Sequence, residues 1–275
     1  MTSQPRSLGL RTDLMLRAFS GQITYRSDGI SVRTPSNPTF RWGNYMVFPS
    51  PPKPGDVSAW TTAFRAHVGR LPDIAHLAFT WDSPDGDEGA VAQFVDRGFE
   101  RFRVWVMTAK TLRDPRTVNN ECELRSLAGD ADFDAVINLL VAQNAALPEE
   151  EREGAGHEEF ARRHVGDLRQ MVEAGWGAWF GAFIEGRLAS SLGVFVRDGL
   201  GRFQMVDTHP QFRRKGLAGT LLVHAGRYAQ RELGAEHLVI TADADDVAKD
   251  LYASVGFTTT ERLTELTLAD ATAFP

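Results

Sequence analysis

The chain has 275 residues, 43% of them hydrophobic and 24% charged, with a net charge of −6. That charge argues against a nucleic-acid partner, which calls for a basic excess. The single cysteine, Cys122, excludes an intramolecular disulfide and a zinc cluster. No stretch approaches the ~20 apolar residues of a membrane span, and Arg6, Arg11, Asp13 and Arg17 interrupt the first residues in a way that speaks against a signal peptide. A reducing cytoplasm is the expected setting. The length, about twice that of a usual domain, predicts two domains.

Residues at the start read as a loose or strand-like arm. Short strands follow at Gln22–Tyr25, Gly29–Arg33 and Phe40–Phe48, separated by turn signals at Ser27-Asp28-Gly29 and Pro35-Ser36-Asn37-Pro38. The prolines of Pro49-Ser50-Pro51-Pro52-Lys53-Pro54-Gly55 forbid regular structure. Asp56 is placed to cap a helix whose Trp60, Phe64 and Val68, at spacing four, form one buried face, and Gly69 stops it. Ala75–Trp81 reads as a buried strand, Asp87 or Glu88 opens a short helix through Phe94, Gly98 ends it, and Phe99–Met107 is another strand. A polar connector, 111–120, marks a boundary.

Beyond it, Glu121–Leu127 reads as a strand, and Asp130 or Asp132 caps a helix that reaches about Ala146 and breaks at Pro148. A second helix runs from Glu158 to Glu173 with Phe160, Val165, Leu168 and Val172 inward. Three strands follow, Trp176–Phe183, Leu188–Val196 and Arg202–Thr208, joined by hairpin signals at Glu185-Gly186 and Asp198-Gly199. The two halves repeat one order. From Thr208 to Gly256-Phe257 there are 48 positions, and from Phe48 to Gly98-Phe99 there are 50; each interval holds a turn, a long helix, a strand and a short helix. An internal duplication is the economical explanation.

The centre of the second half is Met205-Val206-Asp207-Thr208-His209-Pro210-Gln211-Phe212-Arg213-Arg214-Lys215-Gly216-Leu217-Ala218-Gly219-Thr220. A strand ends, three cations pass, small residues follow at 216, 218 and 219, and an amphipathic helix begins over 217–233. Unpartnered first-turn N–H groups and the helix dipole make such a place an anion cradle. It is not a P-loop, lacking Gly-Lys-Ser/Thr, and not a Rossmann turn, lacking Gly-x-Gly-x-x-Gly.

The stretch resembles the Arg/Gln-x-x-Gly-x-Gly/Ala signature of the GNAT superfamily of acyl-CoA-dependent N-acyltransferases, here Arg213, Gly216 and Ala218. A second segment, Asp245-Asp246-Val247-Ala248-Lys249-Asp250-Leu251-Tyr252-Ala253-Ser254-Val255-Gly256-Phe257, resembles that family's Asn-x-x-Ala-x-x-Leu-Tyr-x-x-x-Gly-Phe, with Asp245 in place of Asn. The element order over 121–268 is similar as well. The resemblance implies an α/β (α+β) fold of two GNAT-like domains, each a mixed, mostly antiparallel sheet flanked by helices. The first, 1–115, would be degenerate, since prolines replace the cradle and Phe94 stands where the second half has Tyr252. The second, 121–275, would be catalytic.

It further implies acetyl-CoA as co-substrate, no metal, and an amine-bearing acceptor. The backbone of Val206, Asp207 and Thr208 would pair with the pantetheine arm as an added strand. The N–H groups from Arg214 through Lys215, Gly216, Leu217, Ala218 and Gly219 to Thr220, with the Arg213 charge, would hold the pyrophosphate. Asp245, Lys249 and Tyr252 would complete the cofactor site, with Tyr252 protonating the departing thiolate and the Val206 N–H stabilising the oxyanion. No general base declares itself. Asp207 is the nearest carboxylate, but strand alternation sets it on the face opposite Val206, and a water chain to a distant acid is equally open. His209, beside Pro210, reads as a turn residue. The acidic run 149–159 either draws a cationic amine, such as an aminoglycoside, polyamine or basic peptide, or is a solvated loop and helix start. The rival reading is an acyl-CoA-binding regulatory protein without turnover.

Overall fold

In the computed structural model, which describes residues 4–69, 74–154, 156–272 and 274, the expected arm is instead a helix, α1 (Leu8–Ser20). Leu10 and Leu14, four apart, are buried; Arg11 falls on another face, while Arg17 shares the buried face, with its guanidinium 4.8 Å from the centre of the Phe40 ring and beside Asp13. The helix start is satisfied twice over. The Ser7 hydroxyl accepts from Leu10 N–H at 3.2 Å, while the Glu261 carboxylate accepts from Ser7 Oγ at 2.6 Å, Leu8 N–H at 2.8 Å and Gly9 N–H at 3.3 Å.

The hairpin β1 (Gln22–Arg26) and β2 (Gly29–Arg33) follows as expected. A 3-10 turn at Arg41–Gly43 then shortens the next strand to β3 (Tyr45–Phe48). Helix α2 (Asp56–His67) begins after Gly55, which takes the left-handed conformation at φ +94°, so Asp56 is its first residue and not its cap. Strand β4 (Leu77–Trp81), the four-residue helix α3 (Ala92–Val95) and β5 (Glu100–Ala109) complete the first half. Strands β3 and β4 are parallel, with α2 as the crossover. The aromatic rings of Phe48, Trp60, Phe79, Trp81, Phe94 and Phe99 fill the space between sheet and helix.

The chain divides into two compact units, and the division departs from the expected boundary. The first holds 1–107 together with 241–249 and 259–275; the second holds 108–240 and 250–258. The connector belongs to the second unit, where Arg113 N–H donates to Val255 O and Asn119 N–H to Thr220 Oγ1. The last strand, β11 (Thr258–Leu268), joins the first unit's sheet, of order β1-β2-β3-β4-β11-β5. There it runs antiparallel to β4, with Leu266 opposite Phe79, and Leu266 enters the aromatic core.

In the second unit, β6 (Glu123–Ser126) leads to helices α4 (Asp130–Ala145) and α5 (His157–Glu173). Three antiparallel strands follow, β7 (Gly177–Ile184), β8 (Arg187–Arg197) and β9 (Leu200–Thr208). The joining turns have Glu185 and Asp198 at φ 49° and Gly186 and Gly199 at φ 75°, the two left-handed residues that a tight hairpin requires. Helix α6 (Leu217–Glu232) crosses to β10 (His237–Asp243), parallel to β9, and α7 (Ala248–Ser254) precedes β11. The sheet order is β10-β9-β8-β7-β6. Its two faces are distinct: Trp179 packs on Phe133 of α4, whereas Phe180 packs on His224 and Tyr228 of α6. The inward face of α5 is set by Ala161, His164, Val165, Leu168 and Met171; Phe160 and Val172, expected inward, are only half-buried.

Candidate active site

Two parallel strands normally stay paired along their length, but β9 and β10 part early. Their register covers only Leu200 to Arg202 against His237 to Val239, so β9 from Phe203 onward leaves that neighbour. On its other side β9 stays bonded to β8, through a bulge. Gly193 faces Gln204 and Ser191 faces Asp207, which leaves Leu192 opposite both Met205 and Val206. Met205 takes φ +53°, a left-handed backbone unusual for a residue with a long side chain. The bulge splays the strand end and offers its main chain on the β10 side, which is where the sequence placed Val206, Asp207 and Thr208.

Beyond β9, His209 caps a 3-10 turn at Pro210–Phe212 by accepting from Gln211 N–H, as a turn residue would. Desolvation, Arg187 and Arg213 lower its pKa, so its ring is neutral at pH 7. Arg213, Arg214 and Lys215 are exposed, and Arg214 adopts φ +61°. Gly216 follows at φ +74° and opens α6, whose first N–H groups are Leu217, Ala218 and Gly219. The connector braces this start. Asn119 Nδ2 donates to Lys215 O at 2.9 Å, and Thr220 Oγ1 donates to Gly216 O at 2.9 Å. A methyl on Gly216 would lie 2.5 Å from Thr117 O, and one on Gly219 would lie 3.1 Å from Pro115 and 3.2 Å from Leu251. Both glycines therefore turn their missing side chains toward the protein, and it is the main chain that faces outward.

Asp207 lies on the α4 side of the sheet. Its register partner Ser191 is two residues from Gly193, the partner of Trp179, and side chains opposite one another share a face. Simple alternation would put Gln204 and Asp207 on opposite faces; the bulge brings them to the same one. From α4, Gln143 Nε2 donates to Thr208 O at 3.2 Å, and Gln143 also hydrogen-bonds the Asp207 carboxylate. Desolvation outweighs that bond and the nearby Arg213 charge, and pushes the Asp207 pKa up to about 6. On the same face, Ser191 Oγ and Trp179 Nε1 are buried and, among the described residues, have no hydrogen-bond partner. Such donors cost ~1–3 kcal/mol each if nothing meets them.

Tyr252 is 5% exposed and its ring centre is 6.3 Å from that of Phe257. Asp245 and Lys249 fall in the first unit. Asp245 pairs with Arg103 at 3.3 Å, while Lys249 donates to Asp246 O and lies 5.6 Å over the Trp105 ring. Of the acidic run, Ala155 lies outside the described residues. Three of its carboxylates are already engaged: Glu153 with His157, Glu158 with Arg162 and Glu159 with Arg163. Trp176 lies 3.8 Å under the Arg197 guanidinium, and Trp179 is buried. Sequence reading did not find Gln143, Ser191, Thr117 or Asn119, whose roles depend on the register of β8 and on the path of the connector. Among the described residues, no group of His, Cys, Asp or Glu could hold a metal ion, and no helix is long and apolar enough to cross a membrane.

The first unit has the same strand–helix–strand frame without the parting. Met46, Val47 and Phe48 pair with Phe79, Thr80 and Trp81 to the strand end, and Asp82 N–H donates to Phe48 O at 2.9 Å. Phe48 stacks on Trp60 with ring centres 3.8 Å apart.

Residues 146–267 match the family described as "Acetyltransferase (GNAT) domain". Among solved structures, the chain is similar to a functionally unknown conserved protein from Staphylococcus epidermidis (TM-score 0.67, 12% identity, 92% of this chain and 95% of that one). It is also similar to a GCN5-related N-acetyltransferase from Kribbella flavida (TM-score 0.64, 13% identity, 96% of each chain). A tandem GNAT protein from the clavulanic acid biosynthesis pathway aligns at TM-score 0.52 with 17% identity, over 77% of this chain and 69% of that one. No curated protein sequence matches.

Proposed function

We infer that this chain, whose residues 146–267 match the acetyltransferase (GNAT) domain family, is an enzyme that moves an acetyl group from acetyl-CoA to a primary amine of a small molecule or peptide, by direct attack in a ternary complex. The observation that carries this reading is the parting of β9 from β10 beside a helix that opens in left-handed backbone. The parted strand offers N–H and C=O groups to a pantetheine arm as a sheet edge offers them to a peptide. The N–H groups of 214–219 would meet an anion with the α6 dipole behind them, and Arg213, Arg214 and Lys215 add full charges at an exposed position. The Thr220 N–H, expected in the cradle, instead donates to Gly216 O at 3.1 Å as the first bond within the helix.

Transfer requires an oxyanion donor and an acid for the thiolate. The Val206 N–H, inside the bulge, is assigned the first role and the Tyr252 phenol the second. The burial of Tyr252 supports a dry site for that proton transfer. Asp245 and Lys249 are assigned to cofactor contacts only through the family motif; their present partners are Arg103 and Trp105.

The first unit is assigned no cofactor. Its strands close to their ends, and Pro49, Pro51, Pro52 and Pro54 have no N–H to offer a phosphate. We therefore treat residues 1–107, completed by β11, as a degenerate partner of the catalytic segment. Calorimetry with acetyl-CoA tests both statements, since a stoichiometry of one per chain is expected and two would overturn the assignment of the first unit. A thiol-release assay over a panel of amines then separates a transferase from the rival acyl-CoA-binding protein without turnover.

A further inference from the structure

We propose that Asp207 is the catalytic base that receives the ammonium proton of the acceptor, and that the acceptor amine is presented on the α4 face of β7, β8 and β9. The inference rests on the acetyl-transfer reading above. It starts from the bulge. By inserting one residue between Gln204 and Asp207, the strand keeps its main chain available on the β10 side while turning the Asp207 carboxylate toward α4.

The face so reached is built for a polar guest. The Trp179 N–H and the Ser191 hydroxyl are each fully buried and, among the described residues, without a partner, and both lie on the face that Asp207 occupies. The groups facing Asp207 are few. From α4 comes Gln143, uncharged and hydrogen-bonded to the carboxylate; from the turn after β9 comes Arg213, the one charge that acts on it; from β8 comes Ser191. Two favour the ionised form and desolvation opposes them, which leaves a carboxylate able to take and return a proton near neutrality. In the step itself, a proton passes from the acceptor nitrogen to a carboxylate oxygen of Asp207. The freed lone pair forms the N–C bond. As the C–S bond breaks the Tyr252 phenol gives its proton to the thiolate, the second proton shed by the nitrogen restores the phenol through solvent, and Asp207 returns the first proton to solvent. Gln143 is a positioning residue, since it acts on the carboxylate and not on the substrate.

The test uses the full chain with acetyl-CoA and four probe amines: benzylamine, spermidine, glucosamine and a tripeptide with a free N-terminus. For any amine acetylated, Asp207→Asn should lower kcat at least about 100-fold, leave acetyl-CoA affinity within a few-fold and abolish the acidic limb of the kcat/KM profile. Gln143→Leu, which removes a contact that lowers the Asp207 pKa, should move that limb to higher pH. A D207N enzyme with kcat intact, or with the limb retained, overturns the proposal. The carboxylate can also be read without any acceptor, by carbon NMR of protein labelled at aspartate. A resonance that titrates near pH 6 and vanishes in D207N supports the assignment, and an Asp207 resonance in the ordinary range near 4 overturns it. Failure of the wild-type chain to bind acetyl-CoA at all would instead remove the reading underneath, and calorimetry reports that separately.

Discussion

Replacing Asp207 by Asn should stabilise the second unit, by an amount that depends on pH in a way fixed by the site. The carboxylate's folded pKa is raised from 3.8 to about 6, chiefly by desolvation. A folded pKa above the unfolded one means that the native state binds the proton more tightly. This contribution to stability is fully present below pH 3.8 and is lost as pH rises through about 6. A shift of roughly 2.2 units at 1.36 kcal/mol each puts the full loss at about 3 kcal/mol at pH 8, against about 0.6 kcal/mol at pH 4. Asn keeps the shape and can still accept from Gln143, but it never ionises. The variant should therefore gain about 2.4 kcal/mol on the wild type between pH 4 and pH 8. Native-state hydrogen exchange of the β7, β8 and β9 amides measures the opening free energy of this unit by itself. A gain that is flat with pH would show that Asp207 is solvated in the folded chain and would refute the reasoning.

Three further outcomes are expected. Tyr252→Phe keeps the buried ring and removes one hydroxyl, so kcat should fall roughly 100-fold with acetyl-CoA affinity within a few-fold; a loss confined to KM would assign the hydroxyl to donor binding instead. Gly216→Ala sets a methyl 2.5 Å from Thr117 O in backbone at φ +74°, and should weaken acetyl-CoA binding at least about tenfold by moving the helix start; calorimetry showing unchanged affinity would detach the cradle from the connector. Glu261→Ala removes an acceptor shared by Ser7 Oγ, Leu8 N–H and Gly9 N–H, and should destabilise α1 by about 1.5–3 kcal/mol as read by its amide exchange, while acetyl-CoA still binds. Exchange in α1 as slow as in the wild type would mean that the Ser7 cap, itself held by Ser7 N–H donating to the Asp82 carboxylate at 3.0 Å, suffices.

Most elements could be read from the chain because their signals are local. Trp60, Phe64 and Val68 repeat at helical spacing, Glu185-Gly186 and Asp198-Gly199 have the chemistry of two-residue hairpins, and Gly216 ahead of Leu217 announces a helix start. What stayed hidden depends on partners far away in sequence. α1 has a local cap in Ser7, but the carboxylate that satisfies the rest of its start lies more than 250 positions downstream, and from sequence the segment reads as an arm. β11 continues the second half in sequence yet pairs with β4, and nothing within 258–268 distinguishes one sheet from the other, since an alternating strand fits any edge with a matching apolar face.

The bulge was equally invisible, because Met205 is not a residue that advertises positive φ. Without it, strict alternation puts Asp207 on the face opposite Gln204 and hides its place beside α4; the expected opposition of Val206 and Asp207 holds, since Asp207 faces Ser191 and Val206 faces Leu192. The same local irregularity distinguishes the two strand–helix–strand frames. β3 has no such bulge against its neighbour β2, stays bonded to β4 up to Phe48, and places a stacked aromatic at its end. β9 departs from β10 after Arg202 and bends at Met205. A strand whose hydrogen bonds are already satisfied by its sheet has none left for a ligand's amides, whatever loop follows it. Changing the prolines of 49–54 to a cradle sequence would therefore leave the first unit without a donor site, because the parting of the strands is an independent requirement that the loop cannot supply.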